Sequence, residues 1–341
     1  MTRTLLTSRL LALFIPALIG AAPPPPAGIA PYIHDGRFEP GDYAWLRGGF
    51  DAANAAEIAA YKGMVDWRSR CRTSDMAETR SELAGLGVRV GATLDTIPYR
   101  SLVCDQVASL PEPLDVHDWA GFMRDVSVVR PIMQGFLAAV VMGERASVID
   151  STDMRDALNA RGAGEQTLRA GLAWMNGSHT DGPTLSLTSQ QRGILTSEFA
   201  IALAARDHAN TDWLKRMVVS QGWPMRSQVG DSAAKTAWLL VQHADADPAF
   251  QIRALRLIEP LVTTGEASSR NYAYLYDRVM LKVVGKQRYG TQLDCQKGRL
   301  NPMTLEDEAE VDARRRQVGM GPLSAYVDEA RQEAGACTDG A

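Results

Sequence analysis

Cysteine is scarce in this chain, and the common metal and redox motifs are missing. The sequence holds four cysteines in 341 residues and no C-x-x-C pair, so it indicates neither a zinc knuckle nor a thiol redox site. It also contains no H-E-x-x-H, P-loop or EF-hand pattern. We therefore expect that the chain holds no metal ion and no cofactor.

A strong charge of one sign is lacking as well. The net charge is −4, from 36 basic and 40 acidic residues, which gives no sequence-wide attraction for nucleic acid or an anionic membrane. We expect no nucleic-acid partner. Apolar residues make up 45% and charged residues 22%, which is ordinary for a folded soluble protein and excludes a disordered one.

The N-terminus has the layout of a secretory signal peptide. Arg3 and Arg9 precede an apolar run of 13 residues, 10–22, which contains Pro16 and ends in small residues. The run is shorter than the about 20 residues that span a bilayer. The pattern predicts a cleaved signal over residues 1–22, no stable membrane span after cleavage, and a periplasmic or secreted location.

Export changes how the cysteines are interpreted, because disulfides persist in an oxidising compartment. Four cysteines allow three pairings, and four buried reduced thiols are the remaining alternative. We favour the pairs Cys71–Cys104 and Cys295–Cys337, since these close the shorter loops.

The order of segments predicts a mainly α fold, a helical bundle or array with a short C-terminal β-hairpin. Residues 23–38 form a Pro-rich linker, and residues 39–180 a helical N-terminal region. The stretch 176–187 is dense in turn residues and marks a boundary. Residues 188–336 then form a C-terminal helical domain that includes the hairpin.

Start and stop signals are clearest in the C-terminal half. Asp247, which precedes a proline, predicts a helix start, and Pro260 is expected to kink or end that helix. Ser268 or Ser269 caps a helix that ends at Gly285.

Two further boundaries follow from the pattern. A helix over 188–205 is expected to give way to a second one capped by Thr211 or Asp212. Strands over 287–294 and 299–305 form the predicted hairpin.

Polar residues in apolar surroundings gather between residues 242 and 292. His243 and Asp245 follow an apolar helix, and Asp277 falls among apolar residues on a helical wheel, where a carboxylate needs a partner. His208, outside this segment, is interpreted as a surface or capping histidine. The catalytic candidates are His243, Asp245 and Asp277, and the ligand-binding candidates are Gln242, Gln251, Gln287, Tyr289 and Gln292.

Short strings in this segment carry a family resemblance. They are GWP at 222–224, VG at 229–230, QHAD at 242–245, DR at 277–278, YGTQ at 289–292 and VDARR at 311–315. Together they resemble, over about residues 205–325, an uncharacterised bacterial family known only as a domain of unknown function. The resemblance implies no activity; it implies that these polar residues belong to the common core of the domain.

Three interpretations of the polar segment compete. The first, which we expect, is an exported envelope protein that binds a polar small molecule or an envelope protein through hydrogen-bonding side chains. The second is a hydrolytic enzyme in which His243 is the general base or a metal ligand, with Asp245 or Asp277 beside it. The third is a purely structural role, in which the polar groups satisfy one another.

Overall fold

The computed structural model describes residues 22–91, 97–146, 151–175, 185–334 and 337. The predicted signal peptide, apart from its last residue, lies outside these residues. Most of the turn-rich stretch 176–187 lies outside them too. The structural statements below concern the described ranges.

Helices dominate the fold. Short 3₁₀ helices at Ala30–Tyr32 and Ala44–Gly49 flank the first of two antiparallel hairpins. The strands are β1 (Ile33–His34), β2 (Arg37–Phe38), β3 (Leu293–Gln296) and β4 (Arg299–Pro302). The α-helices are α1 (Ala55–Gly85), α2 (Leu102–Ala108), α3 (Trp119–Ala146), α4 (Met154–Met175), α5 (Ser189–Gln221), α6 (Arg226–Gln242), α7 (Pro248–Thr263), α8 (Ser269–Val284), α9 (Val311–Gln317) and α10 (Leu323–Ala334). The predicted mainly α class with a short C-terminal hairpin is confirmed.

The predicted helix caps around α7 and α8 are confirmed. The Asp247 carboxylate accepts a hydrogen bond from the Phe250 N–H at 2.9 Å and starts α7. Ser268 accepts from the Asn271 N–H at 3.3 Å and starts α8, which ends at Gly285 with a φ of 83°. These caps fix the turn between α6 and α7 and the loop that leaves α8.

Three predicted boundaries differ from the structure. The break at Thr211 or Asp212 is wrong: α5 runs unbroken, because no proline or glycine lies between Gly193 and its end, and Thr211 is buried. Of the two outcomes expected at Pro260, an end of the helix is wrong, since α7 continues for three more residues. The first hairpin strand begins only at Leu293, since residues 287–292 instead fold around a buried carboxylate on α8.

Both favoured disulfides are confirmed. One joins Cys71 on α1 to Cys104 on α2, and the other joins Cys295 on β3 to Cys337. No cysteine is left free. The alternative of four reduced thiols is therefore wrong.

Two main hydrophobic cores lie along the molecule, and α5 contributes to both. Phe199 near its start packs in a core with Trp67 of α1 and Phe122 of α3. Leu214 near its end packs in a second core with residues such as Leu240 of α6. The long helix therefore connects the two cores, and the domain boundaries drawn from the sequence stay a prediction.

Within the described residues, α3 is the one helix long and apolar enough to cross a membrane by length and composition. Phe122 and Met133 bury one side of it in the first core, whereas Val128 and Met142 are exposed. The core helix of a soluble protein has the same properties, so α3 alone assigns no membrane location. The expected absence of a stable span stays a prediction.

Candidate functional site

A polar cleft of about 410 Å³ opens beside the turn that joins α6 to α7. Its walls come from α1, the segment before α2, α2 itself, α4, α5 and that turn. Ion-pairing side chains dominate the lining, among them Arg100, Asp105, Arg169, Asp207, Lys215 and His243. We call this cavity the His243 cleft.

His243 ends α6 and faces a carboxylate on α4. Its Nδ1 lies 2.6 Å from Oε1 of Glu165, which is fully buried, while the imidazole is 14% exposed. Arg169, one turn further along α4, contacts the same carboxylate oxygen. The lack of a side chain on Gly162 permits this arrangement. A Cβ at that position would clash with Thr236 on α6, since it would lie only 2.6 Å from Cγ2. The close packing of α4 on α6 thus brings Glu165 to His243.

The charges at this contact favour an ionised glutamate and a neutral histidine. Burial alone would raise the pKa of Glu165, but His243 and Arg169 outweigh it and bring the pKa to about 2. Burial lowers the pKa of His243 below its ordinary 6.5, and the Arg169 charge adds to this while Glu165 opposes it. A carboxylate at Nδ1 favours the tautomer with its proton there, which leaves Nε2 as the basic nitrogen. No described residue is a hydrogen-bond partner of that Nε2.

Asp207 on α5 adds a second titratable group to the cleft. Its Oδ2 lies 2.7 Å from Arg169 Nη2, so one guanidinium contacts both Glu165 and Asp207. Burial raises the pKa of Asp207 to about 7, with Glu165 adding to the rise and Arg169 opposing it. Its other oxygen, Oδ1, is buried and has no hydrogen-bond partner in the described part of the chain. Asp207 can therefore hold a proton near neutral pH.

His208, the next residue along α5, also lines the cleft. Its Nε2 lies 3.1 Å from Oδ2 of Asp105 on α2, and its side chain is only 15% exposed. The other oxygen of Asp105 accepts from the Tyr99 N–H at 3.1 Å. The interpretation of His208 as a surface or capping histidine is therefore wrong.

Asp245 lines the cleft but directs its oxygens to α8. Arg278 Nη2 and Lys282 Nζ each lie 2.5 Å from one of its oxygens. Burial alone would raise the pKa of the Asp245 carboxyl, but Lys282 and Arg278 outweigh it and hold the pKa well below its usual range. The carboxylate beside His243 is thus Glu165, and Asp245 ties the turn to α8.

Gln251 and Gln242 lie behind the turn. The fully buried Gln251 amide donates to the carbonyls of Val241 at 2.9 Å and Gln242 at 3.3 Å, and to Asp245 Oδ1 at 3.3 Å. These acceptors include the last carbonyls of α6, which have no partner inside the helix. Gln242 is itself buried at the end of α6. The Gln251 side chain therefore supports the turn from below.

Asp277 belongs to a different cluster. It is fully buried and accepts hydrogen bonds from the backbone N–H groups of Arg288, Tyr289 and Thr291 at 2.7, 2.9 and 2.9 Å. Burial raises the pKa of Asp277, and these three donors oppose the rise. We call Asp277, Gln287 and the segment 288–292 the Asp277 clasp.

Gln287 completes the clasp. Its amide donates to the carbonyls of Gln292 and Met303, both at 2.9 Å, and its Oε1 accepts from the Gln292 N–H at 2.9 Å. Tyr289 is buried, with its ring edge-on to Tyr276 at 5.8 Å between centroids. The predicted cluster thus divides in two: His243 and Asp245 lie at the cleft with Gln242 and Gln251 behind them, and Asp277, Gln287, Tyr289 and Gln292 form the clasp.

Sequence reasoning missed three residues that line the cleft, Arg169, Asp207 and His208, and the buried Glu165 that contacts His243. Glu165 and Arg169 stand four residues apart in a helix, which puts them on one face, and Gly162 and Gly164 precede them. That glycine pair beside a charged pair was the available signal of a close helix contact. Across the described ranges, no three His, Cys, Asp or Glu side chains converge in a way that could hold a metal ion.

Comparisons with known proteins give a family match in the C-terminal half of the chain. Neither the curated proteins nor the solved structures offer a match to the chain. Residues 187–336 match the model of a family described as a family of unknown function (DUF6624), which confirms the resemblance carried by the sequence strings.

Proposed function

We propose that the chain is an exported enzyme that binds a small polar molecule in the His243 cleft and hydrolyses it by general acid–base catalysis. The observation that carries the proposal is the 2.6 Å contact between Nδ1 of His243, which lines the cleft, and Oε1 of the buried Glu165. A carboxylate in this position orients the imidazole and stabilises its protonated form. A neutral histidine so held is suited to take a proton from water.

The reaction uses two groups whose pKa values suit opposite tasks. His243 Nε2 takes a proton from water as the water oxygen bonds to the acyl carbon of an ester or amide. The bond from that carbon to the leaving group breaks, and the Asp207 carboxyl gives its proton to the leaving atom. Solvent then carries the proton of the imidazolium to the Asp207 carboxylate, so that one water is consumed. Arg169 contacts both Glu165 and Asp207 and keeps the two groups in one cluster.

Binding without turnover is the second candidate, and it is the function expected from the sequence. The observation in its favour is that the cations of the cleft are already paired. Lys215 Nζ lies 2.7 Å from Asp247 Oδ2, and Arg100 Nη2 lies 3.0 Å from Glu82 Oε1. Paired charges form a preorganised wall that recognises a ligand through hydrogen bonds rather than through its net charge.

Export to the envelope is part of the proposal. Its support is the signal-like pattern of residues 1–22 and the two disulfides, which fit an oxidising compartment. N-terminal sequencing of the protein from an envelope fraction tests it. A start after residue 22 is expected, and an intact Met1 would contradict export.

The test of hydrolysis uses the chain without residues 1–22 and a panel of p-nitrophenyl esters and p-nitroanilides. The variant His243→Gln is expected to lower kcat/KM at least about 100-fold, the scale of one general base. The matched control His117→Gln changes an exposed histidine that pairs with Asp51 away from the cleft, and should have no effect.

The pH profile sharpens the same test. The rate should rise as pH passes the pKa of His243, below 6.5, and fall above about 7 as Asp207 loses its proton. Thermal shift with the same panel separates the two candidates. Binding that depends on His243 without product release favours the second candidate, and the absence of both binding and release overturns both.

A further inference from the structure

A second cavity, of about 360 Å³, lies among α6, α7 and α8, and none of its lining residues lines the His243 cleft. One face of α6 supplies Asp231, Ala234, Lys235 and Trp238, which are spaced three, four and seven residues apart. Trp223 lies before α6 and Tyr272 is on α8. We call this cavity the Trp238 pocket, and we propose that it binds a neutral saccharide.

The aromatic walls are the first argument. Trp223 is 7% exposed, and Trp238 and Tyr272 are half-buried. An aromatic face carries partial negative charge, and the C–H face of a sugar ring carries partial positive charge and is apolar. Flat rings at the wall of a cavity therefore fit a pyranose, which needs an apolar surface on one side.

Unused hydrogen-bond donors are the second argument. The indole N–H of Trp238 is buried and has no hydrogen-bond partner within the described ranges, although such groups are normally paired. The Asn271 side-chain amide and the Lys235 ammonium also lack a hydrogen-bond or ion-pair partner among the described residues, and both line the pocket. Sugar hydroxyls accept hydrogen bonds from all three.

The charge balance decides between a neutral and an anionic ligand. Arg226 Nε lies 2.6 Å from Asp231 Oδ1, and Glu266 Oε2 accepts from the Ser227 N–H at 2.9 Å. The lining thus holds two cations, Arg226 and Lys235, against two carboxylates, Asp231 and Glu266. A pocket of zero net charge does not favour a phosphate or a nucleotide. It suits a neutral ligand with many hydroxyls.

The test measures binding of chitotriose, cellotriose and maltotriose to the chain without residues 1–22 by calorimetry and tryptophan fluorescence. At least one should bind with a Kd in the millimolar range or tighter. Trp238→Phe keeps a ring but removes the N–H, and should weaken binding about 5- to 10-fold. Trp238→Ala removes the ring as well and should weaken it at least about 50-fold.

Two variants serve as matched controls. Trp213→Phe changes a tryptophan that lines neither cavity and stacks under Arg161 at 4.4 Å, and it should bind as the unchanged chain does. His243→Gln should also leave saccharide binding unchanged. The saccharide proposal can therefore fail without the hydrolase proposal failing, and the reverse also holds. The melting curve of each variant reports whether it is folded.

Three results would overturn the proposal. The first is that none of the three saccharides binds. The second is that adenosine binds and depends on Trp238, which would assign the aromatic walls to a nucleobase. The third is saccharide binding that Trp238→Ala leaves unchanged, which would move the site elsewhere on the molecule.

Discussion

The His243 cleft and the Asp277 clasp are built from the same kinds of polar residues, and they differ in where their hydrogen bonds go. In the clasp, Asp277 accepts three backbone N–H groups, and Gln287 uses both ends of its amide. In the cleft, the buried Asp207 Oδ1 has no hydrogen-bond partner in the described chain. Satisfied polar groups hold a fold together, whereas open ones are available to a ligand. Substitutions in the two regions should therefore have different consequences.

The largest expected effect is that of Asp277→Asn in the clasp. Asparagine offers one acceptor oxygen where three backbone donors converge, and its own NH₂ would face N–H groups. We expect the free energy of unfolding to fall by about 3–5 kcal/mol, the scale of breaking a buried charged network. Urea unfolding measures it, and ligand binding or turnover per folded molecule should not change.

The matched control for the clasp is Asp294→Asn on β3, a partly exposed carboxylate, which should change stability by less than about 0.5 kcal/mol. A loss below about 1 kcal/mol for Asp277→Asn would mean that the clasp does not hold the segment 288–292. A specific loss of turnover without a loss of stability would instead move Asp277 to the functional side of the comparison.

Glu165→Gln in the cleft should affect both stability and turnover. The variant leaves His243 without its carboxylate and Arg169 with Asp207 alone, so we expect a loss of about 3 kcal/mol at pH 7. The pKa of Glu165, about 2 in the fold, lies below its ordinary 4.5. Its contribution to stability is therefore present above pH 4.5 and is lost as pH falls toward 2.

Urea unfolding at pH 7 and at pH 3 tests this prediction. The difference in the free energy of unfolding between the unchanged chain and Glu165→Gln should be smaller at pH 3 than at pH 7. Glu308→Gln, at an exposed glutamate before α9, should have the same free energy of unfolding as the unchanged chain at both pH values. An equal difference for Glu165→Gln at both pH values would show that the carboxylate charge of Glu165 is not what stabilises the contact.

Gln251 lies behind the turn at the cleft, and its NH₂ group resembles the clasp, since it donates to three acceptors. Gln251→Met keeps the volume and removes the side-chain donor to the carbonyls of Val241 and Gln242, so we expect the free energy of unfolding to fall by about 2 kcal/mol. Because it positions the turn that carries His243, kcat should fall more than KM rises. An exposed control, Gln332→Met on α10, should change neither, and a pure rise in KM would identify Gln251 as a ligand contact instead.

Local signals in the sequence predicted the parts of the fold that depend on neighbouring residues. The cap at Asp247, the cap at Ser268 and the glycine end of α8 follow from backbone geometry within one turn. The disulfide pairs followed from loop length and the expected compartment. Thr211 shows the limit, because a residue able to cap a helix lies buried inside α5, where packing overrides its preference.

The site was predicted only in part, for a physical reason. His243 was found because it stands at the end of an apolar helix, which is a local pattern. Its carboxylate, Glu165, comes from α4, far earlier in the chain, and reaches it through the contact of Gly162 with α6. No spacing within one segment encodes a contact between two helices. Asp245 and Asp277 were nearer in the sequence, and their oxygens go to other partners.

The smallest expected effect on stability, that of Asp207→Asn, isolates the open group of the cleft. The pKa of Asp207 is raised to about 7 in the fold from an ordinary 3.8, so its favourable contribution to stability is full below pH 3.8 and is lost as pH rises through 7. Asparagine resembles the protonated form at every pH. The free energy of unfolding of the variant should therefore exceed that of the unchanged chain by an amount that grows between pH 4 and pH 7. Above pH 7 this difference should stay constant. We expect a gain of about 1 kcal/mol, since solvent screens a side chain that is 21% exposed.

Urea unfolding from pH 4 to pH 8 measures the gain, and parallel stability curves would show that Asp207 does not hold a proton near neutral pH. Turnover by the variant should fall at least about 100-fold, because the general acid is gone, and the remaining rate should lose its decline above pH 7. A purely structural aspartate would not change the shape of that profile.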